Sequence, residues 1–190
     1  MLERPDLPLM VWGEALRRAR NARARLRFRF AVGTAGIAAL LVTVVVPPLP
    51  RFVWNASASA PQGLYVVSPG ARIEAGDMVL ARTPGPWRSL AARRHYLPAN
   101  VPLVKRAVAV ADDEICARAA SISINGVPAV TRLPHDAAGR TLPWWEGCIA
   151  VRKGEVFLLM AGSPASFDGR YFGITRAGDI VGKAHLLWAR

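Results

Sequence analysis

The chain has 190 residues, a net charge of +12, 22 arginines against three lysines, and two cysteines. That length suits one membrane anchor plus one domain of about 140 residues, large enough to bury a core. The basic surplus sits beside an apolar span without interleaved aromatics, which argues against a nucleic-acid binder, and two cysteines near a lone His135 give no metal-ligand spacing.

Residues 1–30 hold eight arginines against Glu3, Asp6 and Glu14, a surplus of five out of the twelve. The stretch Glu14 to Leu26 is a good helix former, and residues 1–27 read as a cytoplasmic Arg-rich segment. From Phe30 to Val46 no charge occurs. Extended back to Leu26, with Arg27 and Arg29 snorkelling, the run is about 31 Å long as a helix, enough to cross a bilayer. The expected transmembrane helix is 28–48, closed by Pro47-Pro48-Leu49-Pro50, with Trp54 at the far interface and residues 49–190 in the periplasm. A basic segment, an apolar run and Ala56-Ser57-Ala58 also resemble a cleaved secretory signal. The long leader and the proline cluster favour a retained anchor.

Next comes Asn55-Ala-Ser57-Ala-Ser59-Ala-Pro61-Gln-Gly-Leu-Tyr65. In an extended chain both serine hydroxyls project to one face, and the small neighbours leave room for an approaching peptide backbone. The stretch reads equally as a Ser/Ala linker outside a membrane. Short apolar runs follow at Gly63–Val67 and Met78–Ala81, separated by turn residues. Residues 83–100 form a loop with a short helix near Ser89–Arg94, and His95 there reads as a surface histidine.

Val101–Val110 is apolar on both sides of Lys105, the pattern of a strand buried on both faces. Burial draws an amine toward neutrality, and lysine can release its proton where arginine cannot. A lysine snorkelling from a strand edge accounts for the pattern as well. The other two lysines, Lys153 and Lys183, flank glycines in turn-like contexts.

Two alternating runs around Asn125-Gly126 predict a hairpin, inside a region of about 112–150 that reads as an inserted cap. Outside the cytoplasm Cys116 and Cys148 are expected to form a disulfide, stabilising by about 3.7 kcal/mol in the chain-entropy picture. Trp144-Trp145 can pack near it or line a substrate or membrane surface. After a strand at Glu155–Met160, a polar loop carries Ser166, Asp168 and Arg170, the last two able to pair if the chain is extended. Asp179–Trp188 is a final strand. The fold class is mostly β, with one N-terminal transmembrane helix.

Three segments, Ser57-Ala-Ser59-Ala-Pro61, Leu103-Val-Lys105-Arg106-Ala-Val and Ser166-Phe-Asp168-Gly-Arg170-Tyr-Phe-Gly173, stand in the order of the signature boxes of bacterial type I signal peptidases, which they resemble. Those are membrane-anchored serine–lysine proteases with a β-sheet catalytic domain. Ala60-Pro61 replaces the usual methionine with a later proline, and Gly162-Ser163-Pro164 stands where Gly-Asp-Asn is usual. With the paired cysteines, these departures look like the conjugative-transfer (TraF-type) branch, which matures pilin subunits. The resemblance implies Ser59 as nucleophile, Lys105 as general base, Ser57 at the oxyanion, Ser166 orienting Lys105, and Asp168 and Arg170 bracing the loop. It implies no cofactor and no metal. The partners would be a precursor protein and inner-membrane lipid, the precursor bound as an added strand with small residues near the cut entering shallow pockets. A general secretory signal peptidase and a non-enzymatic envelope component are the alternatives.

Overall fold

The computed structural model describes residues 7–45 and 49–190. Helix α1, Leu7–Val45, runs for 39 residues, about 58 Å at 1.5 Å per residue, roughly twice the apolar thickness of a bilayer. Over Leu7–Val45 the Arg-rich segment and the apolar run are therefore one continuous helix, with no break near residue 27. The helix is apolar enough to cross a membrane. Its hydroxyls there are satisfied internally: Thr34 donates to the Phe30 carbonyl at 2.8 Å and Thr43 to that of Leu40 at 2.7 Å, which removes the cost of placing them in lipid. The closing role expected for Pro47-Pro48 lies outside the described residues.

Residues 49–190 form a separate unit built on two antiparallel sheets. In chain order the elements are β1 (Phe52–Asn55), β2 (Gly63–Ser68), β3 (Met78–Ala81), α2 (Gly85–Arg93), β4 (Leu103–Ala109), β5 (Glu114–Arg118), β6 (Ser121–Ile124), β7 (Val127–Thr131), β8 (Gly147–Ala150), β9 (Phe157–Leu159), α3 (Gly169–Phe172) and β10 (Ile180–Ala189). The six-stranded sheet has the order β1-β2-β10-β3-β4-β9, and the four-stranded sheet β7-β6-β5-β8.

The central strands of the larger sheet are buried on both faces, as the apolar run around Lys105 predicts. In β4, Val104 joins a cluster with Tyr65, Leu80 and Val181, whereas Leu103 and Ala107 join Val79, Ala81, Leu158 and Phe172. Gly63 stands where a Cβ would lie 2.0 Å from the Trp188 carbonyl, so only glycine fits between β2 and β10 there. A third cluster, including Ile115, Ile122 and Phe157, joins the smaller sheet to β9. The hairpin between β6 and β7 turns at Asn125 (φ 49°) and Gly126 (φ 80°), the left-handed pair that a two-residue turn requires. Cys116 and Cys148 face each other across β5 and β8 and are disulfide-bonded.

Several sequence expectations change in detail. Lys183 lies within β10, not in a turn, and pairs with Asp77 at 2.7 Å. Trp145 packs edge-on to Phe157, and Trp144 lies under the buried Arg132 guanidinium, 3.8 Å from its ring centre. Trp54 packs against Trp188 at 5.9 Å along an exposed apolar edge shared with Phe52 and Leu187.

Candidate active site

The segment between β1 and β2 is a turn, and its shape is set by Asn55. The Asn55 amide, buried at the end of β1, donates to the carbonyls of Ser57 (3.1 Å), Ala60 (3.2 Å) and Pro61 (3.0 Å), and its Oδ1 accepts from the Ser57 amide at 3.1 Å. Tyr65 from β2 donates to the Pro61 carbonyl at 2.9 Å and Gln62 to that of Ala56 at 2.8 Å. The Ser57 and Ser59 hydroxyls are 2.8 Å apart because this turn folds them together. The alternation expected of an extended chain is not the cause, since residues 56–60 are not in a strand. No motif in the sequence marks Asn55 for this role. Its one signal there is position, since a side-chain amide just before a small-residue stretch suits a turn.

Lys105 enters from the centre of β4. Its Nζ donates to Ser59 Oγ at 2.6 Å and to Ser166 Oγ at 2.7 Å. The side chain is 5% exposed. Burial pushes its pKa down from 10.5 to about 8; the nearby Asp168 carboxylate opposes that fall and the Arg170 guanidinium adds to it. An amine in that range is neutral in useful proportion near pH 7–8 and can accept a hydroxyl proton.

Ser166 is held by the loop between β9 and α3. Asp168 caps α3, a single turn rather than the extended chain expected from the spacing, and accepts from the backbone of Arg170 and of Met160. The Asp168–Arg170 pair forms nonetheless, at 2.8 Å with both side chains almost wholly buried. Arg170 then donates to the carbonyls of Met160 (2.8 Å), Ser163 (3.2 Å) and Pro164 (3.0 Å), tying the loop into a fixed arch. Gly169 is required at this point, because a Cβ would meet the Leu158 carbonyl at 2.7 Å.

Ser57, Ser59, Lys105 and Ser166 share one cleft of about 770 Å³. Asp168 and Arg170 stand behind it. Cys116 and Cys148 lie apart, in the smaller sheet. His95 is exposed, and His135 lies on the cleft rim without a hydroxyl partner.

The family profile described as signal peptidase, peptidase S26, matches residues 25–189. The chain is similar to two plasmid transfer proteins TraF of Escherichia coli. One is 34% identical over 163 residues, covering 79% of this chain and 90% of the relative. The other is 31% identical over 137 residues, covering 67% and 77%. A signal peptidase I from Enterococcus faecalis V583 aligns with 60% of this chain and 97% of its own at 18% identity, with a TM-score of 0.35, too low to bear on the argument.

Proposed function

The chain belongs to the signal peptidase family S26, and from that premise we propose that it is a membrane-anchored serine–lysine endopeptidase that serves conjugative transfer by maturing a pilin precursor. The observation that carries the reading is the 2.6 Å contact between Lys105 Nζ and Ser59 Oγ in a buried setting.

Neutral Lys105 takes the Ser59 proton as Oγ bonds to the scissile carbonyl carbon, and the carbonyl oxygen becomes an oxyanion. The Ser59 amide and the Ser57 hydroxyl, now 3.3 Å apart and engaged with each other, turn to that oxygen. Protonated Lys105 then delivers its proton to the departing amine as the C–N bond breaks. Lys105, neutral again, takes a proton from a water as that water bonds to the acyl carbon, and returns it to Ser59 Oγ as the ester C–O bond breaks, which restores Ser59. Ser166 fixes the Nζ direction throughout, which matters because a misplacement of about 1 Å can cost a hundredfold in rate. Asp168 and Arg170 are positioning residues that hold the arch carrying Ser166.

The apolar part of α1 anchors the protein, and the Arg surplus keeps its N-terminal part in the cytoplasm, placing residues 49–190 in the periplasm. The TraF relatives support a role in conjugation. A reporter fused after Arg190 that is active only in the cytoplasm overturns the topology. For the chemistry, Ser59→Ala and Lys105→Ala are each expected to abolish processing of a pilin precursor in cells while the protein still accumulates in the membrane. Unchanged processing in both leaves a non-enzymatic envelope component as the role.

A further inference from the structure

The cleft beside Ser59 is larger than small residues near a cut require. About 770 Å³ is in the range of pockets that enclose whole small ligands, whereas alanine-like side chains need only methyl-sized recesses. The lining of the cleft includes the apolar and aromatic group Tyr96, Leu97, Leu133, Leu142, Phe167 and Tyr171, which we treat as one lobe. Phe167 ties this group to the dyad, since it follows Ser166 directly in the chain and both line the cleft.

We propose that this lobe is a subsite for one bulky apolar side chain of the precursor, of the leucine, methionine or phenylalanine class, bound within a few residues of the scissile bond. The inference rests on the peptidase reading and extends it to substrate selection. Its first support is that the wall is already built. Phe167 packs on Tyr96 at 5.1 Å and stacks on Tyr171 at 5.8 Å. The loop 133–142 is pinned to the segment after α2: Tyr96 donates its hydroxyl to Asp136, Arg94 donates to the Thr141 carbonyl at 2.8 Å, and Arg140 donates to the Arg94 carbonyl at 3.2 Å. A guest therefore meets a preformed surface and orders little on binding.

The second support is that the polar atoms of Tyr96, Asp136 and Tyr171 in this wall already have partners, which leaves His135 at the rim. Besides the Tyr96 hydroxyl, Asp136 accepts from Arg140 Nε at 2.7 Å and from the amides of Ala138 and Arg140 at 2.9 Å each. The Tyr171 hydroxyl accepts from the Leu133 amide at 3.1 Å. What remains toward the lobe is largely carbon, including Leu133, which is 41% exposed. An apolar guest displaces water there without stranding a polar group. A charged guest loses its hydration against a wall that offers it only His135 at the rim, and a small one leaves the space unfilled.

The test is a peptide series spanning the cleavage site of a pilin precursor, all alanine near the cut, with leucine or phenylalanine moved one position at a time from six residues before the cut to three after it. Each peptide is assayed twice with the full chain in detergent micelles: for cleavage by the wild type, and for binding to Ser59→Ala. The proposal expects one position at which leucine or phenylalanine exceeds alanine by roughly tenfold or more in kcat/KM and in affinity. It expects that ratio to fall toward one in Ala137→Trp, which fills the lobe from its exposed loop, and to fall in Tyr96→Phe, which keeps the ring and cuts the latch. Equal affinity across the series, or a preference untouched by both variants, overturns the subsite while leaving the peptidase reading intact. Position-specific binding with no cleavage of any peptide does the reverse.

Discussion

If Lys105 must be neutral to act, the pH profile of cleavage is fixed by its burial. With a pKa of about 8, the neutral fraction is roughly 10% at pH 7, half at pH 8 and 90% at pH 9. An undisturbed lysine at 10.5 would be only about 3% neutral at pH 9. kcat/KM for a precursor peptide is therefore expected to rise about tenfold between pH 7 and 9 and then level off. Stability follows the same group with a definite sign. The folded pKa lies below the unfolded one, so burying protonated Lys105 costs stability at every pH below about 8. That cost is relieved as pH rises from 8 to 10.5, by roughly 3 kcal/mol over the window. Burial is the main cause and Asp168 opposes it, so Asp168→Asn should move the profile to lower pH. The assay is initial rate against pH with the full chain in micelles, alongside a denaturation midpoint at each pH. A plateau already reached below pH 7, or a rise continuing past pH 10, refutes the assignment of a depressed Lys105.

Three further outcomes follow from the same contacts. Asn55→Ala removes the bonds that shape the Ser59 turn and should lower kcat/KM by roughly a hundredfold while costing about 3 kcal/mol; a variant within threefold of wild type would show that the turn holds itself. Arg170→Met leaves Asp168 buried and unpaired, for an expected loss of about 3–5 kcal/mol in chemical denaturation, and a loss below about 1 kcal/mol would mean that the arch is held by backbone alone. Reducing Cys116–Cys148 should lower stability by about 3.7 kcal/mol on the chain-entropy estimate without changing which peptides are cut, because β5 and β8 remain paired by their own ladder; altered selectivity would tie the disulfide to the cleft.

Much of the β architecture is legible in the chain because its strands are short apolar runs between turn residues. The hairpin at Asn125-Gly126 and the doubly buried strand around Lys105 are the clearest cases. What the sequence hides has physical causes. β8 is exposed along its whole length, so no apolar alternation marks it. β1 is four residues long and follows a proline cluster. Spacing in an extended chain predicts that Ser57 meets Ser59 and that Asp168 meets Arg170. Both meetings occur, yet the first arises from a turn clamped by Asn55 and the second from a capped single helical turn. Residues two apart can converge in several backbone forms, and the choice depends on partners distant in sequence. The size of the cleft is hidden for the same reason, since its walls come from residues 53–171 and no local pattern encodes their spacing.

The most direct test of the central claim is cleavage of a pilin precursor by Lys105→Arg, measured on protein shown to be folded and inserted. Arginine keeps the charge and much of the reach, but guanidinium does not give up its proton at accessible pH. Lys153→Arg and Lys183→Arg are the controls. Lys153 sits in an exposed turn, and an arginine at 183 can still pair with Asp77. The account predicts that both controls cut the precursor at wild-type rates and that Lys105→Arg does not cut it at all. Substantial cleavage by a folded Lys105→Arg protein would contradict proton transfer by Lys105.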